Sequence, residues 1–276
     1  MKKLNLWLLL SLFAAAFTLT ACGDDDDTPS KVPNSSGFTT ADIVGSWSLK
    51  LENFTLTYSF TSTNLTITSN GEVQNTGIYT LEGDNLTFFT TENVYNDEYQ
   101  MYEDQFVTKK YKVGALYDNT VLILKTLAED ENTKTTYEAS EILFRDGKTA
   151  NIPSSDIQGT WDWYYNGNKD NIRTRITFDG NNFDMIITAW GKRYKGTFTY
   201  SGGYAKLTFK EGYTSREENT GYGLGAGDLD PKTLEGTWRN LDRDYWEWTE
   251  ITIPFVASGS EAYGSFANLV GIYYKK

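Results

Sequence analysis

Residues 43–47 (IVGSW) recur as residues 157–161 (IQGTW), and these two matching segments decide how the chain is organised. The second Gly-x-Trp lies 114 residues after the first, at Gly159 against Gly45. Each copy is followed by the same kind of hairpin sequence, namely 77–80 (GIYT) leading to 86–88 (LTF), and 196–199 (GTFT) leading to 207–209 (LTF). Three matched elements in the same order indicate a duplicated unit.

The chain beyond the first forty residues has the pattern of β-structure. Runs of about five to eight residues, rich in Thr, Tyr, Phe, Ile and Leu, alternate with turn signals. These signals are Asn70-Gly71, Gly83-Asp84-Asn85, Asp146-Gly147, Asn166-Gly167, Asp179-Gly180 and Gly202-Gly203. No stretch there keeps the apolar period of a long helix. Short strands at regular spacing predict an all-β sandwich or barrel.

A polar, Pro-containing segment, 151–155 (NIPSS), separates the two copies and predicts domains at 41–150 and 155–276. Each copy is long enough to bury one hydrophobic core without disulfides. A third Gly-Thr-Trp, at 236–238, has only 38 residues after it. We therefore assign it to late strands of the second copy, with Gly212 to Lys232 as a long inserted loop.

The amino-acid composition excludes several kinds of catalytic site, metal site and partner. The 276 residues include no His and one Cys, and 37 Asp and Glu oppose 25 Lys and Arg, for a net charge of −12. Without His, the usual Ser-His-Asp and Cys-His sites and all His-ligated metals are excluded. The acidic balance argues against nucleic acid as a partner. We predict a protein that is not an enzyme, with no catalytic residues, no metal and no cofactor.

The first thirty residues have the layout of a secretory signal. Lys2 and Lys3 precede an apolar run that ends in Leu19-Thr20-Ala21-Cys22. This ending resembles the bacterial lipobox, which implies cleavage after residue 21 and a diacylglycerol thioether on Cys22, so that the protein is held to a membrane by lipid. The alternative is an uncleaved apolar anchor in which Cys22 is buried.

Four aspartates, Asp24 to Asp27, follow Cys22 directly. They resemble the acidic export signal of Bacteroidota lipoproteins, which implies an outer-membrane location at the cell surface; the alternative is a solvated acidic spacer. The Pro-, Ser- and Thr-rich stretch 28–40 has no apolar period. Residues 22–40 are therefore predicted to be an acylated cysteine followed by a flexible tether.

Gly45-x-Trp47 and Gly159-x-Trp161, each opening an antiparallel unit of this size, resemble the lipocalin-like domains found singly or in tandem in Bacteroidota lipoproteins. The resemblance implies two tandem antiparallel β-barrels of eight strands, each closed at one end by its Trp. In lipocalins an Arg from the last strand commonly packs over this Trp, and Arg145 is in position to do so. The second copy ends without Arg, which implies that Lys or another arrangement closes it.

Aromatic residues supply the candidate ligand contacts. Alternation from Trp161 places Trp163 and Tyr165 on the inward face, where they line an interior or fill it as core. The candidate ligand-binding residues of the second copy are Trp163, Tyr165, Trp190 and Tyr194.

A second candidate surface lies on the outward side. If Ile251 and Ile253 face the core, Trp246 and Trp248 face water and suit a glycan; the alternative is that another segment shields them. A further Tyr-rich cluster, residues 95–104, is interpreted as a polar hairpin edge.

Three functional hypotheses follow from these residues. The first is a binder of a small apolar molecule or a glycan through its lipocalin-like domains. The second is a structural or interaction module whose partner is another envelope protein. The third is an inhibitor of host proteases, a use to which related barrels have been put.

Overall fold

The computed structural model describes most of the chain beyond residue 28. The described ranges are 29–33, 35–96, 101–129, 136–164, 172–188, 191–215, 238–243, 248–264 and 271–276. The chain divides into two compact units, Met1–Ala150 and Asn151–Lys276. Each unit is a closed antiparallel barrel of eight strands, here called barrel 1 and barrel 2. The predicted all-β fold with two tandem lipocalin-like barrels is confirmed.

Barrel 1 begins with one helical turn, α1 (Thr40–Ile43), and continues as a simple up-and-down meander. Its strands are β1 (Gly45–Leu51), β2 (Phe54–Phe60), β3 (Asn64–Ser69), β4 (Glu72–Glu82), β5 (Asn85–Asn96), β6 (Met101–Leu116), β7 (Val121–Glu129) and β8 (Thr136–Arg145). Each strand pairs with the next, and β8 pairs with β1 through Trp47 opposite Arg145. This last pairing leaves no open sheet edge.

Barrel 2 contains nine strands, eight of which form the ring. They are β9 (Gly159–Tyr164), β10 (Ile172–Asp179), β11 (Asn182–Ile187), β12 (Lys192–Ser201), β13 (Tyr204–Ser215), β14 (Trp238–Asn240), β15 (Glu250–Ser258), β16 (Glu261–Gly264) and β17 (Gly271–Lys275). Strand β13 pairs with β12 on one side and β15 on the other, and β17 returns to β9. The short β14 pairs with the far end of β13.

Alternation of side chains explains how the sequence forms these walls. In β2 (FTLTYSF) every second residue is buried, starting at Phe54, while the threonines and Ser59 are partly exposed. The same period of two places Leu65 and Ile67 of β3 inside. A register shift after Ile67 then turns the start of β4 outward, so Val73 is exposed.

The two ends of barrel 1 differ. Because consecutive strands run in opposite directions, α1 and the turns at 61–63, 83–84 and 117–120 lie at one end, which we call the closed end. The turns at 52–53 and 70–71, together with the ends of β5 to β8 at Asn96, Met101, Glu129 and Thr136, lie at the other end, which we call the mouth.

The prediction of a flexible tether is wrong for residues 29–33 and 35–38, which we call the N-terminal strap. Val32, Ser35 and Phe38 are buried on the outer wall of barrel 1. Val32 fits against Gly114, where an added Cβ would meet Val32 at 2.8 Å. A single Val and a single Phe in a Pro- and Ser-rich segment leave no periodic signal, so the sequence pattern could not reveal this packing.

Two smaller expectations about barrel connections are resolved as well. Trp238 opens β14, which confirms that the third Gly-Thr-Trp belongs to late strands of the second copy. The inserted loop begins later than predicted, because Gly212 to Ser215 are still part of β13; the rest of that loop lies outside the described residues.

In barrel 1, Tyr95 pairs with Tyr102 in the β5–β6 hairpin, in agreement with the interpretation of residues 95–104 as a hairpin edge.

Candidate functional site

The closed end of barrel 1 is built around Trp47. Its indole Nε1 donates to the carbonyl of Ile43 at 2.7 Å, and the ring is fully buried. The guanidinium of Arg145 lies 4.6 Å from the ring centroid and donates to the carbonyls of Asp42 and Val44. Gly45 has φ of +125°, a backbone conformation that favours glycine. The Gly-x-Trp motif is thus a structural plug, with Arg145 in the position that the lipocalin resemblance implied.

Barrel 2 repeats this plug, but its cation lies farther from the Trp ring. Trp161 Nε1 donates to the carbonyl of Ile157 at 2.8 Å, and Gly159 has φ of +112°. The ammonium of Lys275, on the last strand, lies 5.2 Å from the Trp161 ring centroid. Lysine therefore takes the place of the arginine. Trp47 and Trp161 belong to the cores and offer no surface to a ligand.

The interior of barrel 2 is filled with aromatic rings. Its core comprises 18 buried residues, among them Trp161, Trp163, Phe178, Phe183, Tyr194, Phe198, Phe209, Phe255 and Tyr273. Phe255 makes edge contacts with Trp161, Phe178 and Tyr273 at centroid distances of 5.3 to 6.0 Å. Such edge-to-face packing is typical of a structural core.

The predicted ligand residues of barrel 2 take part in this packing where they are described. Trp163 is 8 % exposed, and a Cβ at Gly271 would come within 1.9 Å of its Nε1, so only glycine fits there. Tyr194 contacts Phe209 at 5.3 Å. Tyr165, Trp190 and Trp246 lie outside the described residues.

The expectation that Trp248 faces water is wrong. Its ring is partly buried and packs against the barrel 2 core, 6.0 Å from Tyr194 and 6.1 Å from Phe209. Strand β15 begins only at Glu250, so the alternation that was counted back from Ile251 does not extend to Trp248. Trp248 therefore belongs with the core aromatics.

Barrel 1 differs because its interior contains ionisable groups. Lys109 is opposite Phe88, and the two side chains share the inward face. Its ammonium forms a salt bridge with Glu92, which also accepts from Asn75 Nδ2 at 3.3 Å. Lys109 is 5 % and Glu92 15 % exposed, so this ion pair is almost fully desolvated. Removing two charges from water is costly, and such pairs are weak evidence for stability.

Two polar groups near this pair make no hydrogen bond of normal geometry. Tyr58 is fully buried on β2, and Glu141 points inward from β8 with its Oε2 atom fully enclosed. The Tyr58 hydroxyl is close enough to act on the Glu141 carboxyl as a donor, but neither Tyr58 Oη nor Glu141 Oε2 forms a hydrogen bond of normal geometry among the described residues. Buried polar atoms are nearly always partnered in native proteins, so this loose pair has capacity for a further hydrogen bond.

Burial alters the titration of the interior groups. It raises the pKa of the Glu141 carboxyl, while the Tyr58 hydroxyl and the Lys109 ammonium act in the opposite direction. Burial, reinforced by the charge of Glu141, also raises the pKa of Tyr58 and of Tyr111 well above the ordinary value. The two tyrosines therefore remain hydroxyl donors, and burial favours the neutral form of Glu141.

Sequence reasoning missed the polar interior of barrel 1. Lys109 and Lys110 are adjacent, and one points inward while the other is exposed. A signal existed in β6, where Lys109, Tyr111, Val113 and Ala115 alternate in phase, so the apolar Val113 identifies Lys109 as inward. Lysine in a Thr- and Lys-rich strand is normally assigned to solvent, which hides this signal.

The described residues offer no further type of site. They contain no group of three or more Asp, Glu or Cys side chains arranged to hold a metal ion. Within the same ranges, no helix is long and apolar enough to cross a membrane. Comparison of the chain with protein-family models, curated proteins and solved structures found no match. The interior of barrel 1 is therefore the candidate site on its geometry alone.

Proposed function

We propose that this protein is a lipid-anchored lipoprotein of the outer membrane, exposed at the cell surface, that binds a small amphipathic molecule inside barrel 1. The anchor rests on the signal-like residues 1–21, Cys22 and the acidic run after it. The binding role rests on one observation: Tyr58 Oη and Glu141 Oε2 are enclosed in a barrel interior beside a buried ion pair, and neither atom makes a hydrogen bond of normal geometry. In this proposal barrel 2 has a structural role.

The chemistry of the interior suggests the character of the ligand. The polar groups Tyr58, Glu141 and Lys109 share the barrel 1 interior with buried apolar side chains, among them Phe88, Leu122 and Leu143. An apolar body would pack against these side chains, and a hydroxyl or amine on the ligand would donate to Glu141. A ligand donor that stabilises the carboxylate would lower the raised pKa of Glu141.

Barrel 1 can be blocked from inside to test this proposal. The probe is N-phenyl-1-naphthylamine, an apolar amine whose fluorescence rises in apolar surroundings. Ala139→Trp places a large ring on the inward face of β8, whereas Thr80→Trp adds the same ring to the exposed wall of β4. We expect the inward variant to weaken probe binding at least tenfold and the outward variant to leave it unchanged. Equal binding by both variants would move the site out of barrel 1 and favour the interaction module.

The anchor has its own test. Cys22→Ser removes the sulfur that the lipid would modify, so the protein should pass from the membrane fraction to the soluble fraction. Unchanged fractionation would reject the lipoprotein part of the proposal and leave the ligand site untouched.

A further inference from the structure

The N-terminal strap follows a defined path along barrel 1, from the closed end towards the mouth. At the closed end, Ser35 Oγ donates to Asp84, which Lys112 also binds at 3.1 Å. Near the same end, the strap crosses β6 at Gly114, against which both Val32 and Ser35 pack. The strap continues past Lys125, whose ammonium donates to Ser30 Oγ at 3.0 Å and to the carbonyl of Lys31 at 3.1 Å.

The N-terminal end of the strap lies close to the mouth. Ser30 N donates to the Glu138 carboxylate, and Glu138 lies opposite Leu127 in the β7–β8 pairing. The described end of β7, Glu129, is only two residues beyond Leu127, which is about 7 Å along a strand. The chain that leads to Cys22 therefore departs from the rim of the mouth.

The length of the remaining chain limits where the barrel can lie. Seven residue steps separate Cys22 from Pro29, and a fully extended chain spans at most about 25 Å over that distance. Turning back to the closed end would use about 20 Å of this reach along β7 alone, from Leu127 to Val121. A membrane that holds Cys22 is therefore reached most directly from the mouth, because the path to the closed end would consume most of the available length.

Exposed apolar side chains are concentrated on the same half of the barrel. Among the described residues, Val73, Met101, Tyr102 and Phe106 are exposed in the mouth half, with Tyr102 at 66 % and Phe106 at 74 %. The Phe106 ring stacks on Phe89 with centroids 6.5 Å apart. Aromatic residues favour the interface between lipid and water. The exposed apolar residues of the other half are Ile78 and Val44.

We propose that the mouth of barrel 1 rests on the lipid bilayer that carries the anchor, so that its ligand enters directly from the membrane. This inference depends on the lipid anchor at Cys22 proposed above. The strap fixes the orientation because it crosses the barrel wall from Val32 to Lys125 and brings Ser30 to Glu138, near the mouth. The apolar residues at the mouth provide the contact, and the polar interior receives the head of an amphipathic lipid-phase molecule.

The charge of the rim specifies the kind of surface. Glu52, Glu72 and Asp104 are exposed carboxylates at the mouth. An anionic headgroup layer would repel them, whereas a zwitterionic layer would not. The contact is therefore expected on phosphatidylcholine vesicles and should weaken when anionic lipid is added at low salt.

The test places a label at each end of barrel 1 in the full acylated protein. Its only native cysteine would be blocked by lipid, so Glu72→Cys at the mouth and Ser62→Cys at the closed end each give a single site for a nitrobenzoxadiazole label. The labelled proteins are reconstituted into phosphatidylcholine vesicles that contain a lipid with a doxyl quencher. We expect at least threefold stronger quenching at residue 72 than at residue 62.

Each outcome of the quenching measurement tests a different part of the proposal. Equal quenching at the two positions, or stronger quenching at residue 62, would overturn the orientation while leaving the anchor in place. Failure of the acylated protein to remain with the vesicles would refute the anchor, and the orientation with it.

Two sets of variants separate the strap from the apolar contact. Val32→Ser should loosen the strap and bring quenching at residue 72 down towards that at residue 62. Tyr102→Ser with Phe106→Ser should reduce quenching at residue 72 by about half, whereas the matched change Val44→Ser at the closed end should have no effect. All of these side chains except Val32 are exposed, so the substitutions are not expected to disturb folding.

Discussion

Barrel 1 and barrel 2 share one closing device but have opposite interiors. Each buries a Trp whose indole donates to an Ile carbonyl four residues earlier and lies under a cation from the last strand. In barrel 2 half of the 18 core residues are aromatic, and ion pairs such as Arg175 with Asp162 and Arg193 with Asp184 are on the outward face. In barrel 1 an ion pair and an ionisable carboxyl are inside.

This difference separates stability from function. Aromatic packing needs no partner beyond the protein itself. Buried charges and unpartnered hydrogen-bonding atoms reduce stability unless another group satisfies them. Barrel 2 also has an unpartnered polar atom inside, the Thr174 hydroxyl opposite Trp163, but this group is neutral. Both copies have the same closure, and among the described residues barrel 1 is the one whose interior holds a carboxyl with a raised pKa beside a buried ion pair. Substitutions in matched positions can test this contrast.

The largest expected effect is in the barrel 2 core. Phe255→Ala removes a ring that touches Trp161, Phe178 and Tyr273, and large-to-small changes of this kind cost about 3–5 kcal/mol. Peptide-resolved hydrogen exchange should show this loss in barrel 2. The control Phe106→Ala, on an exposed side chain, should change stability by about 0.5 kcal/mol or less. A small effect of Phe255→Ala would mean that the barrel 2 interior is loosely packed.

A buried charge in barrel 1 should be nearly as sensitive. Lys109→Met leaves Glu92 without its cation, and breaking one side of a buried pair costs about 3–5 kcal/mol. Replacing both partners, with Lys109→Met and Glu92→Leu, should recover most of this loss, because no uncompensated charge remains. Urea unfolding of the single and double variants measures the difference. Additive losses would contradict a coupled, desolvated pair.

The two plugs should differ in strength. Arg145→Met removes the cation over Trp47 together with two hydrogen bonds to the carbonyls of Asp42 and Val44, an expected loss of about 2–3 kcal/mol. Lys275→Met removes only the cation over Trp161, at a more exposed site, and should cost about 0.5–1 kcal/mol. Thermal unfolding of each variant checks the ratio, and equal losses would mean that the Arg145 hydrogen bonds contribute little.

The smallest effect is a pH dependence at Glu141. Burial raises the pKa of this carboxyl above its ordinary value of 4.5, so folding favours its neutral form. That contribution is complete below the pKa of the unfolded chain and is lost as the pH rises through the raised pKa. Glu141→Gln cannot ionise, so its unfolding midpoint should match the wild type near pH 4 and exceed it near pH 8. A constant difference between the two proteins at all pH values would exclude titration of Glu141 as the cause.

The fold class was predictable because its signals are local. The strand pattern in β2, the turns such as Asn70-Gly71, and the repeated Gly-x-Trp each depend on a few neighbouring residues. The candidate site was not predictable in the same way. Inward aromatics near Trp163 pointed to barrel 2, but they pack as core. The inward position of Lys109 shows only in its phase with Val113, which a Thr- and Lys-rich strand hides.

The sequence by itself determined two repeated all-β units and the positions of Trp47 and Trp161, while the lipid anchor at Cys22 stays a prediction. Only the tertiary structure decided which barrel has a charged interior, that Trp248 joins the core, and that the strap crosses the outer wall at Gly114 and Lys125. The physical reason is the sequence distance over which each interaction acts. Alternation and turns act between neighbours, whereas the meeting of Tyr58 with Glu141, or of Ser30 with Lys125, depends on how every intervening strand is registered and how the barrel closes.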